Sequence, residues 1–160
     1  IIQTRPYMRA RMGLAQTFEA TERTDEAIFH YQEMLRLNPN DNQGVRELLL
    51  ACLLETQRIK EAEDLLKRYK EPSLAVWCYG RALLTFIQKG DNPTARKQLK
   101  NAIKVNPYAA DYLLDYDQFL PMPESYSLGS EEEGIICAKI LQIAWASTPQ
   151  ALDWLQEQMD

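Results

Sequence analysis

Apolar residues recur along the chain at spacings of three and four, as they do on the buried face of an amphipathic helix. Apolar–polar alternation typical of a strand does not persist anywhere in the sequence. After a loop at 120–129, the Ser130 and Glu133 pair predicts a capping box, and Thr148 before Pro149 predicts an N-cap followed by a first-turn proline. The pattern therefore predicts an all-α fold, with helices at about 5–20, 24–37, 41–56, 58–70, 73–89, 93–105, 108–119, 130–146 and 148–158.

The predicted helices recur as pairs with a period close to 34 residues. Two Asn-Pro pairs, at 38–39 and 106–107, lie two such periods apart, and proline suits the first turn of a helix but not its interior. Small residues recur in each second helix, at Ala27, Ala62 and Ala95. Bulky residues recur upstream in each first helix, at Phe18, Leu53 and Phe86. We expect the small residues to allow close helix crossing, with the bulky ones packed beside it. One pair cannot bury its apolar face alone, so the copies must stack.

Residues 8–107 resemble three tetratricopeptide repeats. The resemblance rests on residues at matching offsets in the three units: Leu14, Ala15, Phe18, Ala27, Tyr31, Leu35, Pro39, Leu49, Ala62, Leu66, Phe86, Ala95, Leu99 and Pro107. It implies a right-handed antiparallel helix-pair solenoid of about three repeats with extra C-terminal helices. A length of 160 residues fits one domain. We therefore assign residues 1–107 to three helix pairs, and 108–160 to a capping helix, a loop and two C-terminal helices of the same domain.

A partner-binding groove is the function that this arrangement favours, because the first helices of stacked pairs line the concave side. Small, apolar and polar residues together suit a groove that holds a peptide or helix of a partner protein. Trp77 and Arg81 are one helical turn apart and form a candidate hot spot, although Trp77 has the alternative of packing against a neighbouring helix or under the C-terminal segment. The predicted partner-binding residues are Arg9, Met12, Gln16, Glu47, Ala51, Trp77, Arg81 and Leu84.

The C-terminal helices leave two alternatives open. Between 130 and 158 they carry more apolar residues than the end of a solenoid needs, including two tryptophans, Trp145 and Trp154. They would form either the seam of a homodimer or an intramolecular cap in the regulatory domain of a larger protein. The acidic, apolar segment 121–126 is a further candidate for filling the groove. The chain begins with Ile1 rather than methionine, and we expect it to be part of a longer protein.

Charge argues against nucleic acid as the partner. The net charge is −5, whereas nucleic-acid-binding domains are typically basic. The two parts of the chain differ: residues 1–106 hold 17 basic and 13 acidic residues, and residues 107–160 hold one basic and 10 acidic residues. Opposite surpluses of charge attract over about 8 Å at physiological salt, within one chain or between chains.

No set of residues with catalytic or metal-binding spacing is apparent. His30 is the only histidine, and the glycines do not form a phosphate-binding loop. The acidic run 131–133 is expected to stabilise a helix N-terminus through the helix dipole. The spacing of Cys52, Cys78 and Cys137 is not that of a zinc site, and their apolar neighbours predict buried, reduced thiols in a cytoplasmic protein. We expect no enzyme activity, no metal, no cofactor and no membrane span.

Overall fold

The structure is a computed structural model, and it describes residues 5–41 and 44–160, with side chains from residue 12 onward. Over those residues it contains helices, turns and loops and no strand, which confirms the predicted all-α class. The helices are α1 Arg5–Ala20, α2 Thr24–Leu37, α3 Val45–Glu55, α4 Ile59–Arg68, α5 Ala75–Lys89, α6 Pro93–Val105, α7 Pro107–Leu114, α8 Glu131–Ser147 and α9 Ala151–Met159.

The solenoid consists of three pairs of neighbouring helices: α1 packs on α2, α3 packs on α4, and α5 packs on α6. Successive pairs stack through α2 on α3, α4 on α5 and α6 on α7. The three small residues of the repeat, Ala27, Ala62 and Ala95, have no exposed surface, in agreement with the prediction of close helix crossings. Among the bulky positions, the ring of Phe18 stacks on His30 and that of Phe86 stacks on Trp154.

Two predicted helix ends differ from the structure. Helix α7 ends at Leu114 rather than near 119, because the carboxylate of Asp117 accepts a hydrogen bond from the backbone N–H of Phe119 and stabilises a turn instead. The predicted N-cap at Thr148 is wrong. Its hydroxyl donates to the carbonyl oxygen of Ala144 in α8, so α9 begins two residues after Pro149, following Gln150 in the left-handed conformation (φ 68°).

The C-terminal helices fold back onto the solenoid. Helix α8 packs most extensively against α7 and also contacts α3 and α5, while α9 contacts α6, α7 and α8. Helices α3, α5 and α7 are the first helices of successive pairs, and we call the side that they and α1 line the first-helix side. Helix α8 therefore covers the first-helix side from α3 to α7, and this placement determines which surfaces of the solenoid are free.

Candidate partner-binding site

Aromatic packing joins the C-terminal helices to α5. The indole of Trp145 in α8 meets the ring of Tyr79 edge-on at 6.4 Å and stacks with Trp154 in α9 at 6.2 Å, centroid to centroid. The ring of Trp154 stacks in turn on Phe86 at 4.4 Å, and its indole nitrogen donates to the carboxylate of Asp91. Stacked and edge-to-face aromatic pairs each contribute about 0.5–1.5 kcal/mol beyond their burial. The covering of α5 by α8 and α9 is therefore a specific interface.

A fully buried asparagine connects the start of α8 to the start of α7. The side-chain oxygen of Asn106 accepts from the N–H of Ala109 at 3.1 Å and so caps α7. Its amide nitrogen donates to the carbonyl oxygen of Ser130 at 2.9 Å and to the carboxylate of Glu133 at 3.0 Å. The backbone carbonyl oxygen of Asn106 accepts a hydrogen bond from the hydroxyl of Tyr79 at 2.6 Å. Every polar group of this side chain has a partner, as a buried amide requires.

Glu133 extends this connection to α5. Besides the bond from Asn106, its carboxylate accepts hydrogen bonds from the N–H of Gly129 at 2.9 Å and from the N–H of Ala75 at 3.1 Å. Ala75 is the first residue of α5, where the helix dipole favours a negative charge. One buried carboxylate therefore links the N-termini of α5, α7 and α8. The N-cap half of the predicted capping box is present, because the hydroxyl of Ser130 accepts from the N–H of Glu133 at 3.1 Å, whereas the N–H of Ser130 donates to the carbonyl oxygen of Ser127 and not to Glu133.

The close approach of α8 to α7 depends on a glycine. A β-carbon at position 134 would lie 2.7 Å from the β-carbon of Tyr108 and 2.8 Å from the backbone nitrogen of Ala109. A β-carbon essentially never approaches another heavy atom below 3.0 Å without a bond, and backbone atoms of a helix cannot move aside cheaply. Gly134 is therefore required for the observed contact between the two helices.

Two of the predicted groove residues lie on α3, which contacts α8. Glu47 on α3 is half-buried, and burial raises the pKa of its carboxyl group, with the charge of Glu133 acting in the same direction. Ala51, one turn further along α3, is buried. On α1, Met12 is half-buried and Gln16 is exposed. Arg9 lies in the part of α1 whose side chains are outside the described residues.

The predicted residues of α5 lie elsewhere. Trp77 is fully buried, and its indole nitrogen donates to the carbonyl oxygen of Tyr69 at the end of α4 at 2.5 Å, which matches the alternative of packing on a neighbouring helix. Arg81 and Leu84 line a depression between α4, α5 and α6. Arg81 and Leu84 therefore line a different depression from the one that Glu47 lines.

The residues of α5 that meet the C-terminal helices include Tyr79 and Phe86, and sequence reasoning did not select them as a contact surface. It also missed the linking roles of Asn106, Glu133 and Gly134. The signals were present in part, because Asn106 was recognised as a helix boundary and Glu133 as a member of a cap. The elements that these residues join are distant in sequence, which no local pattern reveals.

A family model for the tetratricopeptide repeat matches residues 19–72. This segment, about a third of the chain, is similar to tetratricopeptide repeats. Tetratricopeptide repeats generally mediate protein–protein interactions and are typically non-enzymatic scaffolds. Searches of curated proteins and of solved structures found no match to this chain. The matched segment covers α2, α3 and α4, so α3 belongs both to this segment and to the surface that α8 covers.

Two acidic residues, Glu19 of α1 and Glu55 of α3, lie near Tyr31 of α2. The hydroxyl of Tyr31 donates to the carboxylate of Glu19 at 2.8 Å. Burial and the nearby charge of Glu19 raise the pKa of Glu55 to about 7. Burial likewise raises the pKa of the Cys52 thiol, and all three cysteines are buried and unbridged.

Within the described part of the chain, no cluster of three or more histidine, cysteine or acidic side chains is arranged to hold a metal ion. No helix over the same residues is long and apolar enough to cross a lipid bilayer.

Proposed function

We propose that this tetratricopeptide-repeat solenoid is a protein-interaction scaffold without catalytic activity, which binds a peptide or helix of a partner protein on its first-helix side. The observation that supports this proposal best is α8 itself, because α3, α5 and α7 together hold a helix there. A surface that accepts one helix through aromatic and capping contacts has the shape that recognition of a second helix or peptide needs.

We propose that the partner contacts the part of this side that α8 leaves open, near α1 and α3. Met12, Gln16 and Glu47 are predicted partner-binding residues that these helices carry, and Arg9 is a further one in the part of α1 whose side chains are outside the described residues. Ala51 and Trp77 are buried, so a neighbouring helix must move before a partner reaches them, whereas Leu84 lines the depression between α4, α5 and α6. Arg81 also lines the depression between α4, α5 and α6 and not the first-helix side. Contact at the open end is therefore the first step of binding, and deeper contact follows displacement of α8.

The intramolecular-cap alternative gains support from the same helix. Most apolar residues of α8 and α9 pack inside this chain, including Leu141, Trp145, Trp154 and Leu155. Only Ile143 among the apolar residues of these helices is more than half exposed, which leaves little surface for a dimer seam on them. We propose that α8 regulates access to the first-helix side. The net charge of −5 favours protein over nucleic acid as the partner, and buried unbridged thiols favour a cytoplasmic location.

Selection of peptides from a random display library, followed by affinity measurement on the purified chain, tests the main proposal. Gln16→Arg changes an exposed residue of α1, so it leaves folding intact and is expected to weaken a selected peptide at least about tenfold. Lys100→Glu on the exposed face of α6 serves as the control and should leave the affinity unchanged. If the original chain, the Gln16→Arg variant and the Lys100→Glu variant all bound the peptide with equal affinity, the binding surface would lie elsewhere and the proposal would be contradicted.

A further inference from the structure

A depression of about 620 Å³ lies between α4, α5 and α6, on the side of α5 that faces away from α8. We call it the α4–α6 groove. Leu66 and Leu84, both nearly fully buried, contribute apolar surface to it, and the aliphatic ring of Pro72 closes one end. Four cations, Lys67, Lys70, Arg81 and Lys89, also line it. The groove combines an apolar floor with a positively charged rim.

The positive charge of this groove is not neutralised within the chain. Its two acidic residues are already paired, Glu63 with Lys67 and Glu71 with Arg46. Lys70, Arg81 and Lys89 take part in no ion pair with any residue that the structure describes. The side-chain oxygen of Gln98, which also lines the groove, is buried and accepts no hydrogen bond from the described residues. An acidic and apolar peptide would pair its carboxylates with these cations and donate a backbone N–H to the side-chain oxygen of Gln98.

This chain carries acidic and apolar side chains of this kind in one exposed loop, in which residues 117–120 form a turn. In the segment between α7 and α8, Phe119 is 84% exposed and Met122 is 53% exposed. Asp115, Asp117 and Glu124 are exposed beside them and form no ion pair with the described residues. Prolines at 121 and 123 restrict the backbone, so the segment loses less conformational entropy when it docks. We call residues 115–124 the docking loop.

We propose that the docking loop of one copy binds in the α4–α6 groove of a second copy. The ring of Phe119 packs on Leu66 and Leu84, and the acidic side chains meet Lys70, Arg81 and Lys89. Within one copy, Phe119 lies beside Tyr116 and Gln142 and does not line the groove. The loop and the groove are different surfaces, so the contact is head-to-tail and each added copy leaves one loop and one groove free.

Sedimentation velocity of the purified chain over a range of concentrations tests this inference. We expect the weight-average sedimentation coefficient to rise with concentration and to fall when salt is added, because the contact is partly ionic. Phe119→Ala and the double variant Lys70→Glu/Lys89→Glu should each weaken association at least about tenfold. All three changes are at exposed positions, and circular dichroism will confirm that the variants remain helical.

Lys97→Glu/Lys100→Glu is the matched control, since it reverses two exposed charges of α6 that do not line the groove. It should associate like the original chain. Mixing the Phe119→Ala variant with the Lys70→Glu/Lys89→Glu variant should restore association, but only as far as a dimer, because just one intact loop and one intact groove can meet. An isologous seam would not show this complementation.

A chain that stays monomeric at all concentrations overturns the proposal, as does association that the groove and loop variants leave unchanged. A binding measurement with a synthetic peptide of residues 115–124 tests whether the groove takes peptides from other proteins instead of the loop of a second copy. If the peptide binds the groove while the whole chain does not associate, the groove takes peptides of this chemistry from other proteins, and the second-copy proposal is wrong. None of these outcomes depends on whether the first-helix side binds a partner.

Discussion

Gly134 determines how closely α8 packs on α7, because a β-carbon there would lie 2.7 Å from that of Tyr108. We predict that Gly134→Ala lowers the free energy of unfolding by about 1–3 kcal/mol, the usual cost of overpacking, although alanine is the better helix former. Chemical denaturation monitored by circular dichroism measures this change.

Gly13→Ala in α1 is the matched control, because a β-carbon at position 13 would meet nothing within 4 Å. There the gain in helix propensity should act alone and stabilise the chain by up to about 1 kcal/mol. If both glycine replacements stabilised the protein equally, the tight contact between α7 and α8 would be refuted.

Glu55 should make stability depend on pH. Its folded pKa of about 7 exceeds the usual value of 4.5, so between these values the unfolded chain ionises while the folded chain keeps the proton. The free energy of unfolding should therefore decrease as pH rises from about 4.5 to 7, and this loss should be complete above the folded pKa. Urea denaturation at a series of pH values measures the slope.

In the Glu55→Gln variant the side chain at position 55 cannot ionise, so the decrease in the free energy of unfolding that Glu55 causes with rising pH should disappear. Glu157→Gln, at an exposed position of α9, provides the comparison and should keep it. An unchanged pH profile in the Glu55→Gln protein would show that this carboxyl group titrates normally.

At the scale of elements, local signals were sufficient to predict most helices. The Asn-Pro boundary at 106–107 and the cap at Ser130 both appear in the structure where the sequence placed them. The faces of the helices were harder to predict, since they depend on partners far away in sequence. Trp77 and Arg81 lie next to α4 because α4 packs on that face of α5. The groove residues predicted on α5 therefore lie on a face that either packs against α4 or lines the depression between α4, α5 and α6.

Two further differences have the same origin. Leu14, one of the residues on which the repeat resemblance rests, is 45% exposed, because α1 packs mainly on α2. Glu133 was expected to stabilise its own helix, yet it also binds the first N–H of α5, 58 residues away in sequence. Spacing along one helix carries no information on such contacts.

Helix α8 is the element whose movement should alter partner binding. We predict that Glu133→Gln, which removes the charge but keeps the size of the side chain, loosens α8 by weakening its bonds to Ala75 and Asn106. Peptides selected on the first-helix side should then bind more tightly, and titration calorimetry measures the gain. Glu132→Gln, an exposed neighbour, is the control. A fall in affinity for the Glu133→Gln protein would contradict the regulatory role of α8.

For the whole molecule, stability should be unequal along the solenoid. Helices α3, α5 and α7 are each held by a neighbouring pair and by α8, whereas α1 packs mainly on α2. In stacked-repeat proteins, units with fewer neighbours open more readily. We therefore predict that backbone amides of α1 exchange with deuterium faster than those of α5 under native conditions, as measured by mass spectrometry. Equal protection of both helices would indicate one fully cooperative unit.

The covering of the first-helix side also sets how strongly any competitor of α8 can bind. Such a ligand reaches its site only in the fraction of molecules in which α8 has departed, so its observed dissociation constant is its intrinsic constant divided by that fraction. Substitutions at the α8 interface would then tune affinity without altering one atom that the ligand touches.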